Sequence, residues 1–193
     1  MKIIGLTGSI ATGKSFVAEI FRRNNVEVFS SDAEVAKLLK EKKVIGAIQE
    51  QPLLAEVVKD EVIDKNLLSN LVFKDDNLLD ILENILHPLV AEKRDEFFKG
   101  KQKFVLLEVP LLFEKSYQSL CEKIITTYCS EKIQKERALR RKNIDNNRLN
   151  FIMKKQMAGN IKAKFSNYLV YTDISYQYTE NQVEEILRKE GIK

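Results

Sequence analysis

The segment Gly8-Ser9-Ile10-Ala11-Thr12-Gly13-Lys14-Ser15 constrains this chain more than any other, because it fits G-x-x-x-x-G-K-[ST] at every position. A short apolar run, Ile3-Ile4-Gly5-Leu6, precedes it. Phe16-Val17-Ala18-Glu19-Ile20-Phe21 follows with helical apolar spacing. Strand, glycine-rich loop and helix, in that order, form a phosphate cradle. Gly8 and Gly13 let the backbone turn tightly and approach an anion, so that loop amides and the helix N-terminus point at phosphate oxygens. In such a loop Lys14 reaches the β- and γ-phosphates, and the Ser15 hydroxyl ligates Mg²⁺. The pattern predicts a site for a nucleoside triphosphate.

Five short, mostly apolar stretches read as buried strands: 3–6, 26–29, 104–109, 123–128 and 168–171. Helical patterns separate them, which predicts a parallel sheet covered by helices on both faces, a three-layer α/β/α fold. The first strand feeds the phosphate loop, so ligand belongs at the carboxyl edge of the sheet. More than seventy residues between the second and third strands carry no strand pattern. Residues 33–40, 67–73 and 78–86 read as helices, and the whole stretch reads equally as a substrate-holding subdomain or as one thick helical layer. The expected organisation is a core of 1–31, 101–134 and 166–193, a helical subdomain of 32–100, and a second helical excursion at 135–165.

The charge is uneven. The 193 residues carry a net +4, yet 137–164 hold nine Lys or Arg and one acid, Asp145. That segment is +8, which leaves −4 for the rest. It admits three readings: a nucleic-acid patch, a mobile basic flap over a polyphosphate, or a solvated helix face. No apolar run is long enough for a signal peptide or a membrane span, and Cys121 and Cys129 have no metal or redox spacing. These features predict a cytoplasmic protein with reduced, buried thiols and no membrane partner.

Several side chains are candidates for chemistry. Asp32 follows the second strand and is expected to face the phosphate loop. There a carboxylate can take a proton from an attacking hydroxyl, and the competing role is to cap the helix starting at Ala33. Glu108 ends the third strand, where an acid can support magnesium or pair with a nearby lysine. Pro110 then ends the strand and turns the chain across the site, with Glu114 ordering that turn. His87 is the only histidine, placed by Pro88 at a helix break; a structural role is the simpler one, with acceptor contact open. Arg137, Arg140 and Arg141 follow a helix start at Ser130-Glu131. Arg137 and Arg141 share a helical face, which suits either phosphoryl oxygens or plain solvent.

Together these pieces resemble the dephospho-CoA kinase family, over almost the whole chain. Gly5-Leu6-Thr7-Gly8-Ser9-Ile10-Ala11-Thr12-Gly13-Lys14-Ser15 looks like the family's opening G-L-T-G-G-I-G-S-G-K-S. Glu108-Val109-Pro110-Leu111-Leu112-Phe113-Glu114 looks like D-V-P-L-L-F-E, and Leu86-His87-Pro88-Leu89 matches L-H-P-L. Cys129-Ser130 with Gln134, Arg137 and Arg141 matches C-S-x-x-x-Q-x-x-R-x-x-x-R, and Gln156-Met157 continues into the family's lid. Phe16, Lys37, Lys65, Ala158, Asn160, Asn167 and Thr172 depart from the usual residues. The resemblance implies phosphorylation by ATP, with Mg²⁺, of the 3′-hydroxyl of the ribose of dephospho-CoA. Another small-molecule kinase is the runner-up. It implies Asp32, Lys14, Arg137 and Arg141 in catalysis, and Gly8, Ala11, Thr12, Gly13, Lys14, Ser15 and Phe16 around ATP. His87, Lys37, Pro110 and Leu111 would bind the acceptor, and Ser15 and Glu108 the metal. A monomer without a nucleic-acid partner, with a lid at 135–165, is the expected form.

Overall fold

The computed structural model describes residues 1–101 and 103–193. It forms two compact units, Met1–Ser30 with Lys101–Lys193, and Ser31–Gly100. The strands are β1 (Lys2–Thr7), β2 (Glu27–Ser30), β3 (Val58–Lys59), β4 (Val62–Ile63), β5 (Phe104–Glu108), β6 (Lys123–Tyr128) and β7 (Tyr168–Tyr171). The helices are α1 (Lys14–Arg23), α2 (Ser31–Leu38), α3 (Lys42–Gln49), α4 (Lys65–Lys74), α5 (Asp76–Phe98), α6 (Glu131–Leu139), α7 (Asn146–Lys155), α8 (Gly159–Lys164) and α9 (Tyr176–Lys189).

In the first unit the five anticipated strands form one sheet in the order β2-β5-β1-β6-β7, every pairing parallel. β1 is central, with Lys2 opposite Phe104 on one side and Ile4 opposite Lys123 on the other. Its alternate residues Ile4 and Leu6 are fully buried and join Val17, Phe21, Leu106, Ile125, Val183 and Leu187 in the main core. Thus α1 and α9 pack on one face, as the period-2 and period-3.6 patterns require. α8 packs against β6. Helices on the sheet faces and a loop at the carboxyl end of the central strand make the three-layer α/β/α architecture expected from the sequence. A smaller cluster, Ile10, Ala11, Ala138 and Leu149, joins the phosphate loop to α6 and α7. Cys129 is buried; Cys121 is only partly so, and desolvation pushes its thiol up to about 11.

The second unit is helical, with α5 packing against α2, α3 and α4. Leu78, Leu82, Leu86 and Val90 bury a stripe at four-residue spacing. Asp64 caps α4 by accepting from the amides of Asn66 and Leu67, and Asp75 caps α5 by accepting from Asn77. Two features depart from the pattern. α5 runs unbroken through Pro88, where the sequence predicts a break at His87. Pro88 lacks an N–H, but Leu86 and Val90 on either side are buried, so packing outweighs the local penalty. β3 and β4 form a small antiparallel ladder where no strand is expected, Val58 opposite Ile63. Two-residue strands leave no periodicity to read. The turn uses Asp60 and Glu61 at φ 49° and 58°, a geometry usually announced by glycine.

Candidate active site

The phosphate loop begins where β1 ends at Thr7. Gly8 has φ 150°, and a Cβ there would lie 2.2 Å from Thr127 Oγ1 and 2.7 Å from Thr12 Oγ1, so no side chain fits. The Thr12 hydroxyl donates to the Ser9 carbonyl at 2.8 Å and lies 2.8 Å from Thr127 Oγ1. Ala11 takes φ 60°, a strained geometry for a residue with a Cβ, and its buried methyl sits in the small cluster with Ala138 and Leu149. Gln134 and Gln156 grip the loop from outside. Gln134 Nε2 donates to the Ile10 carbonyl, and the Ile10 amide donates to Gln156 Oε1, both at 2.8 Å.

Gly13, at φ 88°, caps α1, so no side chain covers the amides of the first turn. That turn carries no acid. Lys14 donates from Nζ to the carbonyls of Gly8 at 2.7 Å and Ser9 at 3.0 Å, and Ser15 is exposed. A helix start without a side-chain cap, beside a lysine and an exposed hydroxyl, is a donor set suited to a polyphosphate and its magnesium. Phe16 packs edge-on against Tyr176 of α9, with ring centroids 5.1 Å apart.

Glu108 closes β5, opposite Leu6 of β1 and Ser30 of β2. It is 8% exposed. The Val109 amide donates to the Leu6 carbonyl at 3.0 Å, and the Pro110 carbonyl accepts from the Thr7 hydroxyl at 3.1 Å. The chain after β5 is therefore tied to the residue that precedes Gly8. Leu111, next along it, is half-buried.

The arginines separate. Arg137 is held by Thr172, with Nη1 donating to the hydroxyl at 3.0 Å and Nη2 to the carbonyl at 2.6 Å. The same Thr172 hydroxyl donates to the Thr12 carbonyl at 2.9 Å, so Arg137 braces the phosphate loop through one residue. Arg141 does not share its helical face. α6 stops at Leu139, and Arg140 and Arg141 lie in the exposed turn beyond it. Asn143 at φ 66° closes that turn, a conformation asparagine tolerates.

Asp32, Lys37 and His87 belong to the second unit. The helix after β2 starts two residues earlier than the sequence suggests. α2 begins at Ser31, which leaves Asp32 exposed in the first turn, where a carboxylate favours the helix dipole. Lys37 pairs with Glu34 at 2.9 Å on the same helix. His87 Nε2 lies 3.9 Å from Glu83 Oε2 on α5.

Gln134 and Gln156 appeared in the sequence only as matches to a motif; their grip on Ile10 has no local signal. Lys162 carried no signal of its own. It stands in the basic stretch, for which a solvated face is one of the three readings, and it is fully buried on α8. Desolvation holds its ammonium below the usual lysine range, and the carboxylate of Glu114 opposes that shift.

A parallel sheet whose central strand runs into this lysine-bearing loop defines the P-loop nucleoside-triphosphate-binding fold. Two solved structures share the fold across the chain. The crystal structure of TT1252 from Thermus thermophilus has TM-score 0.75 and 26% identity, covering 97% of both chains. The dephospho-CoA kinase from Campylobacter jejuni has TM-score 0.64 and 23% identity, covering 97% of this chain and 96% of that one. The family model described as dephospho-CoA kinase matches residues 2–177. The dephospho-CoA kinase of Bartonella quintana is 38% identical over 192 residues, 97% of each chain. The chain belongs to the dephospho-CoA kinase family, and is a kinase.

Proposed function

We propose that this chain transfers the γ-phosphoryl group of ATP to the 3′-hydroxyl of the ribose of dephospho-CoA, giving CoA and ADP. The observation that carries this reading is the Gly8–Ser15 loop at the end of the central strand, in a chain matched by that family over residues 2–177. The hydroxyl oxygen attacks the γ-phosphorus, the bond to the β–γ bridging oxygen breaks, and ADP leaves. Asp32 orients the hydroxyl and accepts its proton. The loop from Gly8 through Ala11, Thr12 and Gly13, with the first turn of α1 through Lys14, Ser15 and Phe16, binds the phosphates. Lys14 matches charge that grows as transfer proceeds. Arg137 and Arg141 add positive charge at the equatorial oxygens.

Ser15 and Glu108 would hold Mg²⁺, which when bound neutralises the β- and γ-oxygens. Residues 32–100 form the acceptor-binding subdomain, with contacts from Lys37 and His87, joined by Pro110 and Leu111 after β5. Residues 135–165 form a lid that excludes water, the competing nucleophile. The protein acts as a monomer in the cytoplasm; no helix among the described residues is long and apolar enough to cross a membrane.

The test is product analysis by mass spectrometry after incubation with MgATP and a panel of acceptors: dephospho-CoA, nucleosides and nucleotides. One added phosphate on the ribose 3′ position of dephospho-CoA is the expected result. Phosphorylation of a nucleoside or nucleotide in its place would move the assignment to another small-molecule kinase.

A further inference from the structure

Lys162 is buried without an assigned task. Its Nζ donates to the Pro110 carbonyl at 2.5 Å, lies 3.0 Å from Glu114 Oε1, and reaches Thr7 Oγ1 at 3.5 Å. Thr7 is the residue before Gly8, and Pro110 and Glu114 belong to the chain after β5. One ammonium therefore ties α8 to the two segments that leave the carboxyl ends of adjacent strands. Glu114 Oε1 also accepts from the Met157 amide at 2.6 Å, while its other oxygen is buried without a hydrogen-bond partner. Met157 and its neighbour Gln156 contact the phosphate loop in turn, through Ser9 at 3.5 Å and the Ile10 amide.

This is an expensive way to fill space. Replacing a buried ion pair with apolar groups of similar size is often neutral or stabilising, so stability alone does not account for the pair. Its geometry offers a different account. A lysine ammonium carries three donors and can serve a carbonyl, a carboxylate and a hydroxyl at once.

We propose that Lys162, locked by Glu114, is a positioning residue for phosphoryl transfer, holding the segment from Pro110 to Glu114 in fixed register with the start of the phosphate loop. It touches neither substrate. It acts through Pro110 and Thr7, and so sets where the acceptor segment stands relative to the bound phosphates. The inference rests on the kinase reading above. A displacement of about 1 Å in such an arrangement can cost on the order of a hundredfold in rate.

The test compares wild type, Lys162→Met and the double variant Lys162→Met with Glu114→Gln, with dephospho-CoA and MgATP. Methionine fills the volume without donating, and the amide oxygen introduced by Glu114→Gln can still accept from the Met157 amide. The double variant leaves no charge unpaired, so it is expected to melt at or above the wild-type temperature. Its kcat is expected to fall tenfold or more, while its Kd for a non-hydrolysable ATP analogue stays within about threefold, because the loop and Lys14 are unchanged. Wild-type kcat in either variant that melts normally overturns the proposal. If both variants unfold, the pair is structural and the proposal likewise falls. A wild-type enzyme that does not phosphorylate dephospho-CoA refutes the kinase reading instead, a separate outcome.

Discussion

Asp32 stands two residues beyond β2 and in the first turn of α2, exposed. Its two contributions, to the helix and to chemistry, can be separated. Asparagine keeps the shape and loses the charge, so Asp32→Asn forfeits a dipole interaction of about 0.3–1 kcal/mol. It also loses the proton acceptor, and turnover is expected to fall roughly a hundredfold, within the usual range for a general base. A melting curve, a nucleotide titration and a turnover assay on one preparation check this. Normal turnover in a normally melting Asp32→Asn protein would remove Asp32 from the chemistry. At this scale the sequence displayed the phosphate loop almost entirely, because eight contiguous residues carry both its backbone geometry and its charge. The buried bond between Lys162 and Glu114 was illegible for the opposite reason. The partners lie 48 positions apart, and a lysine among eight other cations looks like one more solvated charge.

Among the elements, α5 holds the largest disagreement between local preference and observed structure. Its 23 residues continue through Pro88. Alanine at that position would restore a donor for the Asn84 carbonyl and relieve the ring clash. Pro88→Ala is expected to stabilise the protein by about 1–3 kcal/mol, read as a higher melting temperature. If His87 meets the acceptor, the same variant raises KM for dephospho-CoA and leaves KM for ATP alone; a lower melting temperature would show that the proline ring is needed for packing. The basic stretch also resolves into unlike parts. α6 and α7 present mostly exposed cations, whereas α8 is held by Lys162. Hydrogen exchange with and without a non-hydrolysable ATP analogue is expected to show new protection across 137–155 and little change across 159–164. Equal change in both would contradict a lid that moves only in its outer part. Strand positions were legible because buried parallel strands are continuous apolar runs. The ends of α2, α5 and α6 were not, since packing and turn geometry set them.

Over the whole molecule, charge divides with architecture. The unit of 1–30 and 101–193 holds 22 Lys and Arg against 13 acids, a net +9; residues 31–100 hold 10 against 15, a net −5. The nucleotide-binding loop belongs to the positive unit, so ATP is drawn to it by a field that salt screens. KM for ATP is expected to rise several-fold as ionic strength goes from about 0.01 M to 0.15 M, where the Debye length shrinks from roughly 30 Å to 8 Å. A KM independent of salt would mean that contacts alone govern capture. The sheet order has a consequence during synthesis. β1 leaves the ribosome before the other strands but occupies the centre, and its neighbours β5 and β6 end at Glu108 and Tyr128. At about 5–20 residues per second, Ile3, Ile4 and Leu6 wait several seconds without the strands that cover them. Residues 31–100, being contiguous, have their own contacts complete earlier. The newborn chain thus carries an uncovered apolar strand ahead of a finished helical unit, and it is in that interval that chaperones and aggregation compete for it.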